Sequence, residues 1–76
     1  MKTFIAYTKP NCKFCEEAKK LINEKGDEII EVEIGKGISR EEFMEFYPDV
    51  KTVPHIVLTE WEIGGFDDLE KFYNSL

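Results

Sequence analysis

The chain has 76 residues, 42% of them hydrophobic and 34% charged, with a formal net charge of −6. That length suits one domain with a thin core, because a chain of this size buries only roughly 60 to 65% of its unfolded surface. The acidic balance argues against a protein built to grip nucleic-acid phosphates or an anionic membrane, and no apolar stretch approaches membrane-spanning length.

Lys2 to Thr8 is rich in β-formers, with Phe4, Ile5, Ala6 and Tyr7 consecutive, which suits a strand buried on both faces. From Cys12 to Lys25 the apolar positions Phe14, Ala18, Leu21 and Ile22 follow helical spacing, and Gly26 is a natural stop. Glu28 to Ile34 alternates, which places Ile30, Val32 and Ile34 on one face of a second strand. Ser39 with Glu42 reads as a capping box opening a second helix, with Phe43, Phe46 and Tyr47 inward, and Pro48 closes it.

His55 to Thr59 reads as a third strand, Trp61 to Ile63 as its hairpin partner, and Gly64-Gly65 as the break after it. Leu69, Phe72, Tyr73 and Leu76 recur at i, i+3, i+4 and i+7, the stripe of a final amphipathic helix. The order β-α-β-α-β-β-α predicts an α/β fold, a four-stranded mixed sheet with helices on both faces. Its first unit should cross over right-handed between parallel strands, and the hairpin should add antiparallel ones. With no repeat, low-complexity run or linker, residues 1–76 are expected to form a single domain.

Both cysteines lie in the stretch TKPNCKFC, at the carboxyl end of the first strand and the entry to the first helix. The opening residues carry too short an apolar run for a signal peptide, so a reducing, cytoplasmic setting is expected. There a C-x-x-C pair is more often catalytic or metal-binding than a structural disulfide, and its tiny loop would make a poor staple. Cys12, at the helix start, meets unpaired N–H groups and the positive end of the helix dipole, with Lys9 and Lys13 nearby. Cys15 follows on the same helical face, more shielded. The expected division of labour is attack by Cys12, a mixed disulfide, and displacement by Cys15. A zinc site within the chain needs two more ligands, and the only histidine is His55, so no metal is expected. A metal or cluster shared between two chains, or two unreactive thiols, are the alternatives.

Two further stretches bear on the thiols. Thr52-Val53-Pro54 reads either as a plain strand entry or as a cis peptide bond that turns the Val53 backbone outward to pair with an extended peptide. Gly65-Phe66-Asp67-Asp68 reads either as a glycine turn with acidic residues offsetting a helix dipole, or as a bare helix N-terminus whose amides hold a carboxylate. Gly35-Lys36-Gly37 lacks phosphate-loop spacing and is a loop. His55 reads as a packing or surface residue, and Trp61 as cover for the sheet.

Tyr7-Thr8-Lys9 leading into Cys12-Lys13-Phe14-Cys15, then Thr52-Val53-Pro54, then Ile63-Gly64-Gly65-Phe66-Asp67-Asp68-Leu69 together resemble the glutaredoxin family of the thioredoxin-like fold. The short length and the Ile-Gly-Gly-Phe-Asp segment also look like phage-type members. The resemblance implies a dithiol oxidoreductase that reduces protein disulfides and glutathione mixed disulfides, with glutathione as co-substrate and no bound cofactor. It assigns Cys12 as nucleophile, Cys15 as resolving thiol and Pro54 as a cis proline. Glutathione would pair with the Val53 backbone beside Thr52. Its γ-glutamyl carboxylate would meet Gly65, the Phe66 and Asp67 amides and the Asp67 or Asp68 side chain. Lys9 would lie near the glycine carboxylate and Phe14 would wall the groove; Lys13, by its own charge rather than by the resemblance, would favour the Cys12 thiolate.

The sequence departs from the common family motif between the cysteines, where Lys13 and Phe14 stand in place of proline and tyrosine. That removes a rigid first-turn residue and a hydroxyl, so the family's potential does not carry over. A reductase-dependent thioredoxin-type protein and an iron–sulfur carrier or binding module are the competing readings. Disulfide-bearing proteins are the expected partners, and a ribonucleotide reductase would fit the family. No nucleic acid or membrane is expected, and no apolar stripe demands a second copy, so a monomer is.

Overall fold

The structure, a computed structural model, describes residues 2–58 and 61–75. It contains β1 (Thr3–Thr8), α1 (Lys13–Glu24), β2 (Glu28–Glu33), α2 (Arg40–Phe46), β3 (His55–Leu58), β4 (Trp61–Gly64) and α3 (Phe66–Asn74). The strands form one sheet in the order β2-β1-β3-β4. β1 pairs parallel with β2, from Thr3 opposite Glu28 to Thr8 opposite Glu33. On its other edge β1 runs antiparallel to β3, with Tyr7 opposite His55, and β3 runs antiparallel to β4 with a register shift between Ile56 and Val57. The expected α/β layout, a four-stranded mixed sheet with three helices in a thioredoxin-like fold, is the one observed. The expected end of the third strand at Thr59 and the helical position Leu76 lie outside the described residues.

Alternation along the strands sorts the sheet into two faces. Phe4, Ala6, Ile56 and Leu58 point to one of them, where Ala18 and Ile22 of α1 and Leu69 of α3 close a buried core. Burying a side chain the size of Phe4, Ile22, Ile56 or Leu69 contributes about 1.5–3 kcal/mol each. The opposite face carries Tyr7 and His55, and α2 reaches it through aromatic rings. Phe43 lies 5.2 Å and Tyr47 also 5.2 Å from Tyr7, centroid to centroid, and Tyr47 lies 4.7 Å from His55. Burial, then the hydrogen bond to Tyr7, pushes the Tyr47 hydroxyl up to about 12.

The local signals act as the residues dictate. Ser39 and Glu42 form the full reciprocal capping box at the start of α2. α1 ends in a Schellman motif, in which Gly26 N–H bonds the Asn23 carbonyl and Asp27 N–H the Ile22 carbonyl. Gly26 sits at φ 78°, where a side chain would be strained.

Phe46 and Trp61 fall elsewhere than expected, and Ile30 lies on its expected strand but exposed. Phe46 is 69% exposed. Phe43 and Tyr47, four residues apart, share the face turned to the sheet, whereas Phe46 is rotated to the flank of this short helix. Ile30 is 52% exposed because β2 is an edge strand and α2 covers only the Tyr7–His55 end of that face, while Ile29 packs on the core instead. Trp61 is 66% exposed at the start of the other edge strand, so it does not cover the sheet.

Asp27 fastens the α1–β2 turn at two points. It accepts hydrogen bonds from the Lys2 amide at 2.9 Å and the Tyr73 hydroxyl at 2.7 Å. Those bonds, the Lys2 amide first, hold its carboxyl below the ordinary value of 3.8. A depressed native pKa contributes stability that is fully present above the unfolded value and lost as pH falls through the native one. Asp27→Asn is therefore expected to lower stability by about 1–2 kcal/mol at pH 7. Urea unfolding at pH 7 and at pH below 3 should show the gap between variant and wild type narrowing in acid.

Candidate active site

Cys12 occupies the N-cap of α1, with extended backbone (φ −110°, ψ 109°), and Cys15 lies one turn on. Their Cα atoms are 5.2 Å apart and the sulfurs are joined as a disulfide, so the structure shows the oxidised state of the pair. The Cys15 N–H donates to Cys12 Sγ at 3.2 Å, as a capping interaction at the helix start. A thiolate sulfur is a better acceptor for such an N–H than a disulfide sulfur. The two sulfurs differ in access: Cys15 is 1% exposed, while Cys12 is half-buried and open to the surface.

The approach to Cys12 is fixed by the strands. The chain leaving β1 carries Lys9 and the turn at Asn11 (φ 58°) before it enters α1. The chain entering β3 carries Thr52, Val53 and Pro54, and the Val53–Pro54 peptide bond is cis. Because β1 and β3 run antiparallel, these two segments meet. Cys12 Sγ lies 3.9 Å from the Val53 carbonyl oxygen. Among the described residues, the Val53 N–H has no acceptor.

A groove of about 960 Å³ opens beside Cys12. Lys9, Lys13, Phe14, Thr52 and Val53 line it together with Cys12. Arg40, the first residue of α2, and Lys51 line it as well, and both escaped the sequence reading. Arg40 follows a capping serine and reads as a helix start. Lys51 precedes the Thr52 motif by one position, and its charge beside that motif was the available signal. Lys19, further along α1, turns away to Glu16 at 2.7 Å and Glu31 at 3.2 Å.

Gly65, Phe66, Asp67 and Asp68 do not line this groove. They form the start of α3, next to it. The Phe66 ring lies 5.8 Å from that of Phe14, and a Cβ on Gly65 would lie 3.7 Å from the Pro54 carbonyl oxygen. Gly65 is the N-cap and offers no side chain; the Asp68 carboxylate instead accepts from the Gly65 N–H at 3.2 Å. The Phe66 and Asp67 amides, first-turn donors, have no acceptor among the described residues. Gly64 is at φ 117°, and a Cβ there would collide with the Asp68 carboxylate, so this turn requires glycine.

His55 lies on the sheet and does not line the groove. It is buried among Tyr7, Phe43 and Tyr47, with Nε2 3.0 Å from Glu62 Oε1. Among the described residues no group of three or more His, Cys, Asp or Glu side chains is placed to hold a metal ion. No helix among them is long and apolar enough to cross a membrane.

A redox-capable cysteine pair at a helix start, beside the Val53 carbonyl that precedes a cis proline at the entry to β3, defines a thiol–disulfide oxidoreductase of thioredoxin-like fold. Residues 4–61 match the glutaredoxin family model, and the chain belongs to the glutaredoxin family. It is 38% identical over 63 residues to glutaredoxin 3 of Escherichia coli, covering 83% of this chain and 76% of that protein. It is 36% identical over 67 residues to the hybrid peroxiredoxin hyPrx5 of Haemophilus influenzae, where the match takes in 88% of this chain but only 27% of that protein. Among solved structures, glutaredoxin from Brucella melitensis superposes with a TM-score of 0.78 at 31% identity, covering 99% of this chain and 82% of that one.

The difference in access between the sulfurs generates a prediction. As a free thiol, Cys12 is expected to titrate well below the usual value of about 8.5, since an N–H and the helix N-terminus face its sulfur. The pH dependence of iodoacetamide alkylation of the reduced chain reads this directly. The fast reaction should be lost in Cys12→Ser; an unshifted profile in the wild type refutes the assignment.

Proposed function

We propose that this chain is a glutathione-dependent dithiol oxidoreductase, reducing protein disulfides and glutathione mixed disulfides in a reducing cytoplasm as a single unit spanning residues 1–76. The observation that carries the reading is the asymmetry of the cysteine pair. One sulfur, Cys12, is reachable and faces an open groove beside the Val53 N–H, which has no acceptor among the described residues, and the other is buried behind it.

In the proposed cycle the Cys12 thiolate attacks one sulfur of the substrate disulfide, forming a mixed disulfide and releasing a substrate thiolate, which takes up a proton. The Cys15 thiol loses its proton and attacks Cys12 Sγ, which releases the second substrate thiol and leaves the Cys12–Cys15 disulfide. Two glutathione molecules then restore the dithiol and leave as glutathione disulfide, so two electrons pass from glutathione to substrate.

Glutathione fits the groove as an extended peptide. Its central residue pairs with the Val53 backbone, in the manner of an added strand. Lys9 and Lys13 receive the glycine carboxylate, Phe14 and Thr52 flank the thiol, and Pro54 holds the wall beside Cys12. The γ-glutamyl carboxylate reaches past Phe14 to the amides of Phe66 and Asp67, at the start of α3 beside Gly65. Asp68 is committed to the Gly65 N–H, which leaves the Asp67 side chain for the ligand's ammonium.

Two measurements test the reading. With glutathione and glutathione reductase as sole electron source, turnover of a disulfide substrate should be sustained. Turnover with thioredoxin reductase alone would place the chain in the competing class. Cys15→Ser is expected to keep activity on a small glutathionylated substrate and to lose most reduction of disulfides within a protein, while Cys12→Ser loses both.

A further inference from the structure

We propose that the groove beside Cys12 is a docking surface for an acidic peptide segment, the chain flanking the reactive cysteine of a disulfide-bearing protein substrate. This rests on the oxidoreductase reading above and adds a substrate class to it. Lys9, Lys13, Arg40 and Lys51 all line this groove, and among the described residues no carboxylate does. That segregation occurs in a chain where Asp and Glu outnumber Lys and Arg by 16 to 10. Among the described residues none of the four is within ion-pair distance of a carboxylate, whereas Lys19 and Lys36 both are.

The four cations come from four places in the fold: the end of β1, the start of α1, the start of α2 and the approach to β3. Lys9 and Lys13 share one stretch of sequence, and tertiary structure adds Arg40 and Lys51 to them. Like charges gathered without counter-ions repel one another, and a cleft lined by one sign of charge concentrates ligands of the other.

Glutathione alone does not account for four cations. In the binding mode proposed above, the γ-glutamyl one of its two carboxylates goes to the start of α3, which does not line this groove. One carboxylate is left for four positive side chains. An extended chain with several acidic residues supplies the remaining partners. The volume, about 960 Å³, lies at the upper end of the roughly 300–1,000 Å³ usual for small-ligand sites. Phe43, Met44 and Val50 add an apolar floor on which the uncharged side chains of such a segment rest.

The test uses two disulfide-bridged peptides of identical core, one with glutamates and one with lysines flanking the cysteine, reduced by the full chain with glutathione and glutathione reductase. At low ionic strength kcat/KM is expected to favour the glutamate peptide by about tenfold or more. The preference should shrink toward parity near 0.5 M salt, where the screening length falls to roughly 4 Å. The double variant Arg40→Glu/Lys51→Glu changes two exposed side chains and should level or invert the preference. Equal turnover of both peptides by the wild type, or a preference that survives charge reversal and high salt, overturns the acidic groove and leaves the oxidoreductase reading intact. Failure to turn over either peptide with glutathione overturns both.

Discussion

The antiparallel pairing of β1 with β3 is the constraint on which the rest of the site depends. With Tyr7 opposite His55, the residues just after β1 and those just before β3 must emerge at the same edge of the sheet. Cys12 and Val53 are 41 positions apart in sequence, yet the pairing leaves the sulfur 3.9 Å from the Val53 carbonyl. A second antiparallel register, with Ile56 opposite Gly64, brings the start of α3 to the same edge next to Pro54. Two strand registers therefore gather three separated motifs. A slip of one residue in either would turn the core face of the strand outward, so packing enforces the geometry that the chemistry uses.

The two sides of the sheet divide the labour. On one side, Phe4, Ala6, Ile56 and Leu58 lock against α1 and α3, and this core sets where α1 begins and hence where Cys12 points. On the other, α2 is attached through the rings of Phe43 and Tyr47 upon Tyr7 and His55. The second attachment brings Arg40 and Met44 to the groove. A change in how α2 sits would reshape the groove while leaving the cysteine pair on its own support.

Elements with a strong period were legible in the sequence: the alternation of Glu28 to Ile34, the helical stripe of Ala18, Leu21 and Ile22, and the Ser39–Glu42 cap all correspond to observed structure. Periodicity tells which residues share a face, but not whether another element covers it. Ile30 is exposed for that reason, whereas Phe46 is rotated off the face that Phe43 and Tyr47 share. Cys12 and Cys15 were legible from spacing and from their place at a helix entry. The cis bond before Pro54 was one of two readings of the residues, and the family resemblance chose between them. Arg40 and Lys51 were missed because only the placement of α2 and the turn before β3 brings them to Cys12. The segment from Gly65 to Asp68 was located correctly in the chain, but the sequence held no sign that Asp68 closes onto the Gly65 amide.

The burial of Cys15 directly behind Cys12 also bears on oxidative damage. A peroxide arriving from solvent can reach only the Cys12 sulfur, where the first product is a sulfenic acid. Further oxidation to the sulfinic form is irreversible by ordinary thiols, and it requires a second encounter with oxidant. Cys15, with its Cα 5.2 Å away, can condense with the sulfenic acid first, expelling water and forming the same disulfide that the catalytic cycle passes through. The buried thiol thus shields the exposed one from permanent loss, and recovery from injury runs along the route already used for turnover.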